Sequence, residues 1–317
     1  MTTPTARRPT HAVFVLAYGT PAKLEDIEPY YTHIRGGRPP SPPALADLVE
    51  RYRRVGGQTP LLAISQQVAD AIQIWLDDLA PGACRVYLGM KHWHPFIGDV
   101  TRQMLDDGIT HVTAVVLAPH YSRYSLEGYR KYIKQALAAD GRTLELDFIE
   151  SWHNNPHYHD LMLERIAAAR TQLPADVRDD ALVLFSAHSL PEKIVALGDP
   201  YPDYLRDSAR AIATRGGIDR WDFCYQSAGQ TGEPWLGPDI LDKLETLHAQ
   251  GTRAVVSVPF GFVAEHLEVL WDIDTEAQDK AGELGMALTR IQMPNADAAF
   301  VAVVADVIAS AAGPWRS

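Results

Sequence analysis

An alternation constrains this chain more than any single motif: short apolar, β-branched runs are separated by longer stretches of helical period. Strands are expected at residues 12–17, 85–89, 111–117, 144–149, 181–185, 223–226 and 254–258, with a weaker one at 287–291. Most are apolar along their whole length, as strands covered on both faces are. Between them, residues 65–79, 99–107, 126–139, 158–173, 203–214 and 238–249 are amphipathic with helical spacing. Strands that alternate with helices imply right-handed crossovers and parallel pairing. The expected fold is therefore α/β, with doubly wound, Rossmann-like parallel sheets.

A chain of 317 residues is long for one hydrophobic core, which favours two domains. The alternation divides into comparable halves, 11–152 and 153–295, with a cleft expected between them. His153-Asn154-Asn155-Pro156 has the composition of the connection, and a last helix, 296–312, is expected to pack back on the first domain. Residues 115–120 (VVLAPH) resemble 255–260 (VVSVPF), each an apolar strand ending at a proline, which suggests a repeat. Residues 35–43 (RGGRPPSPP) form a loop by composition, with Pro39-Pro40 and Pro42-Pro43 expected to hold it extended.

The net charge of −11 argues against a nucleic-acid partner, since phosphate binding needs a basic footprint. Two lone cysteines, Cys84 and Cys224, suggest a reducing compartment and cannot supply a four-cysteine cluster. The first ten residues carry no apolar stretch of signal-peptide type, and no run of about 18 apolar residues could span a bilayer. A cytoplasmic location is expected. No nucleotide-phosphate loop, no H-E-x-x-H and no G-x-S-x-G elbow follows any strand.

In open parallel sheets, ligands bind outside the carboxyl ends of the strands. The residues at those ends are Tyr18-Gly19-Thr20-Pro21, Lys91-His92, His120-Tyr121-Ser122, Ser186-Ala187-His188-Ser189, Gln226-Ser227 and Pro259-Phe260-Gly261-Phe262. Imidazole, hydroxyl and aromatic groups thus collect at one edge. Residues 264–279 (AEHLEVLWDIDTEAQD) carry six acids and no lysine or arginine. On a helix beginning at Glu265-His266-Leu267-Glu268, the acids Glu268, Asp272 and Glu276 form one row at four-residue spacing. Each like-charge pair costs roughly 0.2–0.5 kcal/mol, so a row this long suggests a path for a cation. A solvated face with first-turn acids accounts for Glu265 and Glu268 but not for those further along. His188 taken alone reads as a structural histidine before it reads as a ligand. His266, two residues from Glu268, is expected to point to a different side and to support its neighbours. Against the global charge, Arg35, Arg38, Arg51, Arg53 and Arg54 cluster in residues 30–60, where guanidinium forks suit carboxylates. An exposed helix face around Arg51–Arg54 explains some of them, but not the loop arginines. The combination suggests a flat or elongated apolar ligand with carboxylates at its edge and a cation at its centre.

Phe185-Ser186-Ala187-His188-Ser189-Leu190-Pro191, Trp235-Leu236-Gly237-Pro238 and Glu265-His266-Leu267-Glu268 resemble the signatures of the ferrochelatases in spacing and order. Similarity runs from Ala17 to Asn295. The stretches Ala17-Tyr18-Gly19-Thr20-Pro21 and Tyr30-Tyr31-Thr32-His33-Ile34-Arg35 are similar to the soluble, monomeric branch that uses coproporphyrin III. Enzymes that use protoporphyrin IX usually lack a tyrosine at the position of Tyr18 and carry a longer apolar lip.

The resemblance implies a chelatase-type fold and a lyase-class metal chelatase that makes Fe-coproporphyrin III in haem biosynthesis. Its substrates would be coproporphyrin III and Fe²⁺, with no permanently bound cofactor, no iron–sulfur cluster, and transient handover to neighbouring haem-pathway enzymes. It also implies that His188 and Glu268 flank the porphyrin centre and that Asp272 and Glu276 continue a metal path. Tyr18 would stand axial to the product iron, and Arg35, Arg51, Thr59 and Tyr129 would hold propionates. Thr20 is taken with them, and Lys91, His92, Trp235 and His266 as support. Two departures are visible: Gly36 stands where relatives often carry a second basic residue, and Thr59 where serine is common. A protoporphyrin IX ferrochelatase and a non-catalytic haem or porphyrin carrier remain the rival functions. A carrier needs neither a proton acceptor nor an acidic conduit.

Overall fold

A computed structural model describes residues 9–229, 232–311 and 313. Eight strands form two sheets of four: β1 His11–Ala17, β2 Cys84–Met90, β3 His111–Val116 and β4 Glu145–Ile149, then β5 Leu182–His188, β6 Trp221–Gln226, β7 Ala254–Val258 and β8 Ala287–Arg290. The first sheet is ordered β2-β1-β3-β4 and the second β6-β5-β7-β8, the same order within each half. Every pairing is parallel. The two similar segments noted in the sequence run off the carboxyl ends of β3 and β7, which hold equivalent places in their sheets.

Successive side chains of a strand point to opposite faces, and the core shows it. Phe14 and Leu16 of β1 pack with Ile97, Met104 and Ile133 on one face of the first sheet. Leu184 and Val255 pack with Leu244, Ile273 and Ala277 on one face of the second. The alternate residues Val13, Val15, Phe185 and Val256 share a third, larger cluster with Trp152, Tyr158, Leu205 and Phe300. Phe14, Phe185 and Phe300 are wholly buried, and each contributes roughly 1.5–3 kcal/mol by leaving water.

The connection between the halves is bound rather than free. The Trp152 amide donates to the Pro119 carbonyl (3.0 Å) and its indole to Val116 (3.0 Å). Buried Asp199 accepts from the Ser122 hydroxyl (3.0 Å), the Tyr124 amide (3.1 Å) and the Tyr201 amide (3.0 Å), joining first-half and second-half segments. The C-terminal helix Ala298–Ser310 packs against both Leu61–Leu79 and Pro156–Arg170. Among the described residues, no helix is long and apolar enough to cross a membrane.

Three expectations are corrected. Pro42-Pro43 do not extend the loop; they open the helix Pro42–Arg54, where Ser41 caps the first turn by accepting from the Ala44 amide. Proline is favoured there because its missing N–H would have had no helical partner. β5 runs on to His188 rather than ending at residue 185, because Ser186, Ala187 and His188 continue the ladder with Cys224, Tyr225 and Gln226. The acidic helix begins at residue 267 rather than at Glu265, and its Val269–Ala277 section is a π-helix leading into Gln278–Glu283. The Thr275 hydroxyl, donating five residues back to the Leu270 carbonyl (3.0 Å), fits the wider turn.

Candidate active site

His188 ends a central strand, and its surroundings come from three other segments. Ser186 donates to the Gln226 side chain on β6 (2.6 Å), and the Ser189 hydroxyl donates to the Leu236 carbonyl (2.7 Å). Pro191 bridges to Trp235, which draws the two sequence motifs together and sets the Trp235 ring 6.3 Å from that of His188. Gly261 passes so close behind that a Cβ there would stand 2.7 Å from the Ala187 Cβ.

The imidazole donates from Nδ1 to the Ser189 carbonyl, a bond that fixes the ring and directs Nε2 outward. Nε2 lies 3.5 Å from Oε1 of Glu268, and Nε2 of His266 lies 3.5 Å from Oε2 of the same carboxylate. His266 therefore does not point away from Glu268 as expected. It sits ahead of the helix, so helical spacing does not govern it; its Nδ1 donates to the Ala264 carbonyl (2.9 Å).

Charge organises the pair. Burial alone would lower the His188 imidazole, but Glu268, the Ser189 carbonyl and Asp272 bring it up to about 9. Burial would raise the Glu268 carboxyl, but His188 and His266 hold it well below the usual carboxylate range. At neutral pH His188 and Glu268 thus form an imidazolium–carboxylate pair. His188 must give up its Nε2 proton before that nitrogen can accept another or bind a metal. Farther along, burial, then Glu268 and Glu276, push buried Asp272 up to about 7 against the opposing Ser227 and Arg51. His188, Glu268, Asp272 and Glu276 therefore act on one another electrostatically in order along the segment.

The first half supplies the facing wall. Thr20 and Thr59 share a hydroxyl hydrogen bond (2.7 Å), with the Tyr52 hydroxyl 3.2 Å from Thr20. Lys91 lies between two phenol rings, its Nζ 5.7 Å from the centre of Tyr18 and 5.0 Å from that of Tyr129. It donates to the Ser125 carbonyl (3.0 Å), and burial lowers it to about 8. The His92 ring lies 4.6 Å from that of Tyr18, tilted by 55°, and is pushed down to about 3 by burial, then by Lys91 and His33, so it is neutral at pH 7. Although 39% of Tyr18 is exposed, desolvation of its hydroxyl, then the charge of Glu268, raises it above the ordinary phenol value. Tyr18 and Glu268, from opposite halves, thus share one electrostatic environment.

Arg35 stands apart from this cluster. It is exposed, 5.8 Å from the Tyr31 ring centre, and neither it nor Arg38 makes an ion pair among the described residues. Arg51 reaches both Asp47 (3.0 Å) and Asp272 (3.9 Å). Three partners escaped the sequence reading. Arg290 of β8 grips Asp274 with two hydrogen bonds (2.6 and 2.8 Å) and lies 3.5 Å from Glu265, withdrawing two of the six acids from the cleft. Ser227, at a positive φ of 63°, donates its hydroxyl to Asp272. Tyr52, buried on the helix Pro42–Arg54, completes the Thr20–Thr59 group. Cys84 and Cys224 are buried free thiols in strands of different sheets.

Known proteins match this architecture and its sequence. The chain is 50% identical over 297 residues to a ferrochelatase of Herpetosiphon aurantiacus, covering 94% of this chain and 97% of that protein. It is 44% identical over 298 residues to a coproporphyrin III ferrochelatase of Bacillus pumilus, covering 93% and 95%. Among solved structures, SirB from Bacillus subtilis with Fe³⁺ shares the fold at a TM-score of 0.57 and 12% identity, covering 95% of this chain and 96% of that one. The family described as Ferrochelatase matches residues 10–312, and the chain belongs to it: it is a metal chelatase of haem biosynthesis.

Proposed function

We propose that this ferrochelatase inserts Fe²⁺ into coproporphyrin III, with His188 and Glu268 as the groups that meet the reacting centre. The observation that carries the assignment of these groups is the 3.5 Å imidazole–carboxylate pair at a strand end, with a second imidazole, His266, 3.5 Å from the other oxygen of the same carboxylate. Insertion must take two pyrrole protons from the macrocycle and strip water from the metal. An imidazole held at Nδ1 offers Nε2 for one of those tasks once its own proton has left, and Glu268 offers a carboxylate for the other. Asp272 and Glu276 lead the cation along the π-helix. His266 orients Glu268, while Trp235 packs near His188 and Lys91 and His92 back Tyr18. Tyr18 stands axial to the product iron.

At the edge, Arg35, Arg51, Thr59 and Tyr129, with Thr20 behind them, receive the carboxylates. Support for the four-carboxylate porphyrin comes from Arg35 and Arg38, both exposed and without an ion pair among the described residues. The name of the Bacillus pumilus relative points the same way. We further propose a cytoplasmic monomer with no resident cofactor. Anaerobic turnover of coproporphyrin III against protoporphyrin IX tests the substrate: kcat/KM should favour coproporphyrin by at least about tenfold. A preference for protoporphyrin IX would overturn that choice.

A further inference from the structure

Arg51 stands between the groups proposed to hold the two substrates, and its charge faces one of the acids proposed to hold the metal. Its Nε lies 3.0 Å from Asp47 on the same helix, and its Nη1 points across the cleft to Oδ1 of Asp272 at 3.9 Å. Its guanidinium also lies 5.7 Å from the centre of the Trp271 ring, which Arg54 covers at 5.2 Å. The other oxygen of Asp272 is occupied by the Ser227 hydroxyl. A cation arriving at Asp272 must therefore take the Oδ1 side, where the guanidinium repels it. A propionate arriving at Arg51 draws on the same positive charge that Asp272 faces at 3.9 Å.

Resting on the functional assignment above, we propose that Arg51 is a shared counter-ion that makes porphyrin and metal binding positively cooperative. When a propionate takes the guanidinium, Asp272 is released to hold the metal; when the metal takes Asp272, Arg51 is released to hold the propionate. The coupling must be reciprocal, because each ligand removes the same internal ion pair. Arg51 is in this sense a positioning residue for the metal, acting through Asp272.

Zn-coproporphyrin III, which cannot accept another metal, and Mn²⁺, a hard divalent probe, test this by titration at fixed pH. The Mn²⁺ site to follow is the one lost in Asp272→Asn. Saturating Zn-coproporphyrin III should lower its Kd at least about fivefold in the wild type, within the usual range for coupled sites. The effect should vanish in Arg51→Gln. In Asp272→Asn, Zn-coproporphyrin III should bind without Mn²⁺ about as tightly as it binds the wild type with Mn²⁺. Equal Mn²⁺ affinity with and without porphyrin would overturn the proposal. So would coupling that survives in Arg51→Gln, because a general attraction between porphyrin carboxylates and cation needs no counter-ion. Failure of Zn-coproporphyrin III to bind at all would remove the substrate assignment and the proposal with it, whereas binding without coupling removes the proposal alone.

Discussion

Glu268→Gln isolates the interaction that sets the resting state of the cleft. The wild-type imidazole of His188 titrates near 9, against an ordinary value of 6.5. Each pH unit corresponds to about 1.4 kcal/mol, so the site as a whole, with burial opposing the ion pair, favours the charged ring by a net of roughly 3 kcal/mol. The His188 side chain is 31% exposed, and screening brings that value toward about 2 kcal/mol. Glutamine keeps the shape of Glu268 but removes its charge, while the burial that lowers His188 remains. His188 should then titrate well below 9, with burial opposed only by the Ser189 carbonyl and Asp272. The assay is a pH titration of ring-labelled histidine by NMR, with His188→Ala to assign the resonance. A His188 resonance still titrating near 9 in Glu268→Gln would refute the electrostatic account. The sign for stability follows: a raised imidazole stabilises the fold fully below pH 6.5 and loses that contribution as pH rises through 9. The wild type should therefore lose stability between those limits, and Glu268→Gln should lose less.

Other consequences are independent of that pair. Asp272, held near 7, should bind metal less well as pH falls below that value, raising the apparent KM for Fe²⁺ with little change in that for porphyrin. A KM for metal that is flat from pH 8 to pH 6 would contradict this. Arg290→Gln leaves Asp274 and Glu265 uncompensated beside a guanidinium site only 13% exposed, and should destabilise by about 3 kcal/mol in denaturant melts. A change within 0.5 kcal/mol would show the clamp to be idle. Gly261→Ala places a methyl group against Ala187 and should cost about 1–3 kcal/mol, with reduced turnover because His188 follows directly. Unchanged melting and turnover would mean that β5 and the turn after β7 yield freely.

Much of the fold was legible because it depends on local pattern. Runs such as residues 181–185 are apolar throughout, as strands covered on both faces are. The strand-end rule then placed Tyr18, His92, His188 and Ser227 on one side before any contact was known. The partners of those residues were less visible, since they depend on register between distant segments. Arg290 lies 16 residues beyond Asp274 on a different element, and nothing in its neighbourhood marks it as the clamp of an acidic helix. Ser227 was noted only as a strand-end residue; its reach to Asp272 follows from a backbone with positive φ, which sequence does not announce for serine. The π-helix was hidden for a related reason. Acids four residues apart share a side on an α-turn, so the spacing that revealed the row gave no hint of the wider turn. Pro42-Pro43 misled because paired prolines suit an extended loop and the first turn of a helix equally well.

The central claim is that the His188–Glu268 pair performs the insertion rather than the binding of the macrocycle. Its most direct test is an anaerobic single-turnover experiment in which His188→Ala, saturated with coproporphyrin III, is mixed with Fe²⁺ and followed by absorption. The account predicts that the porphyrin binds with near wild-type affinity and its free-base spectrum persists, while the wild type converts to the iron complex. Conversion by His188→Ala at the wild-type rate would contradict it.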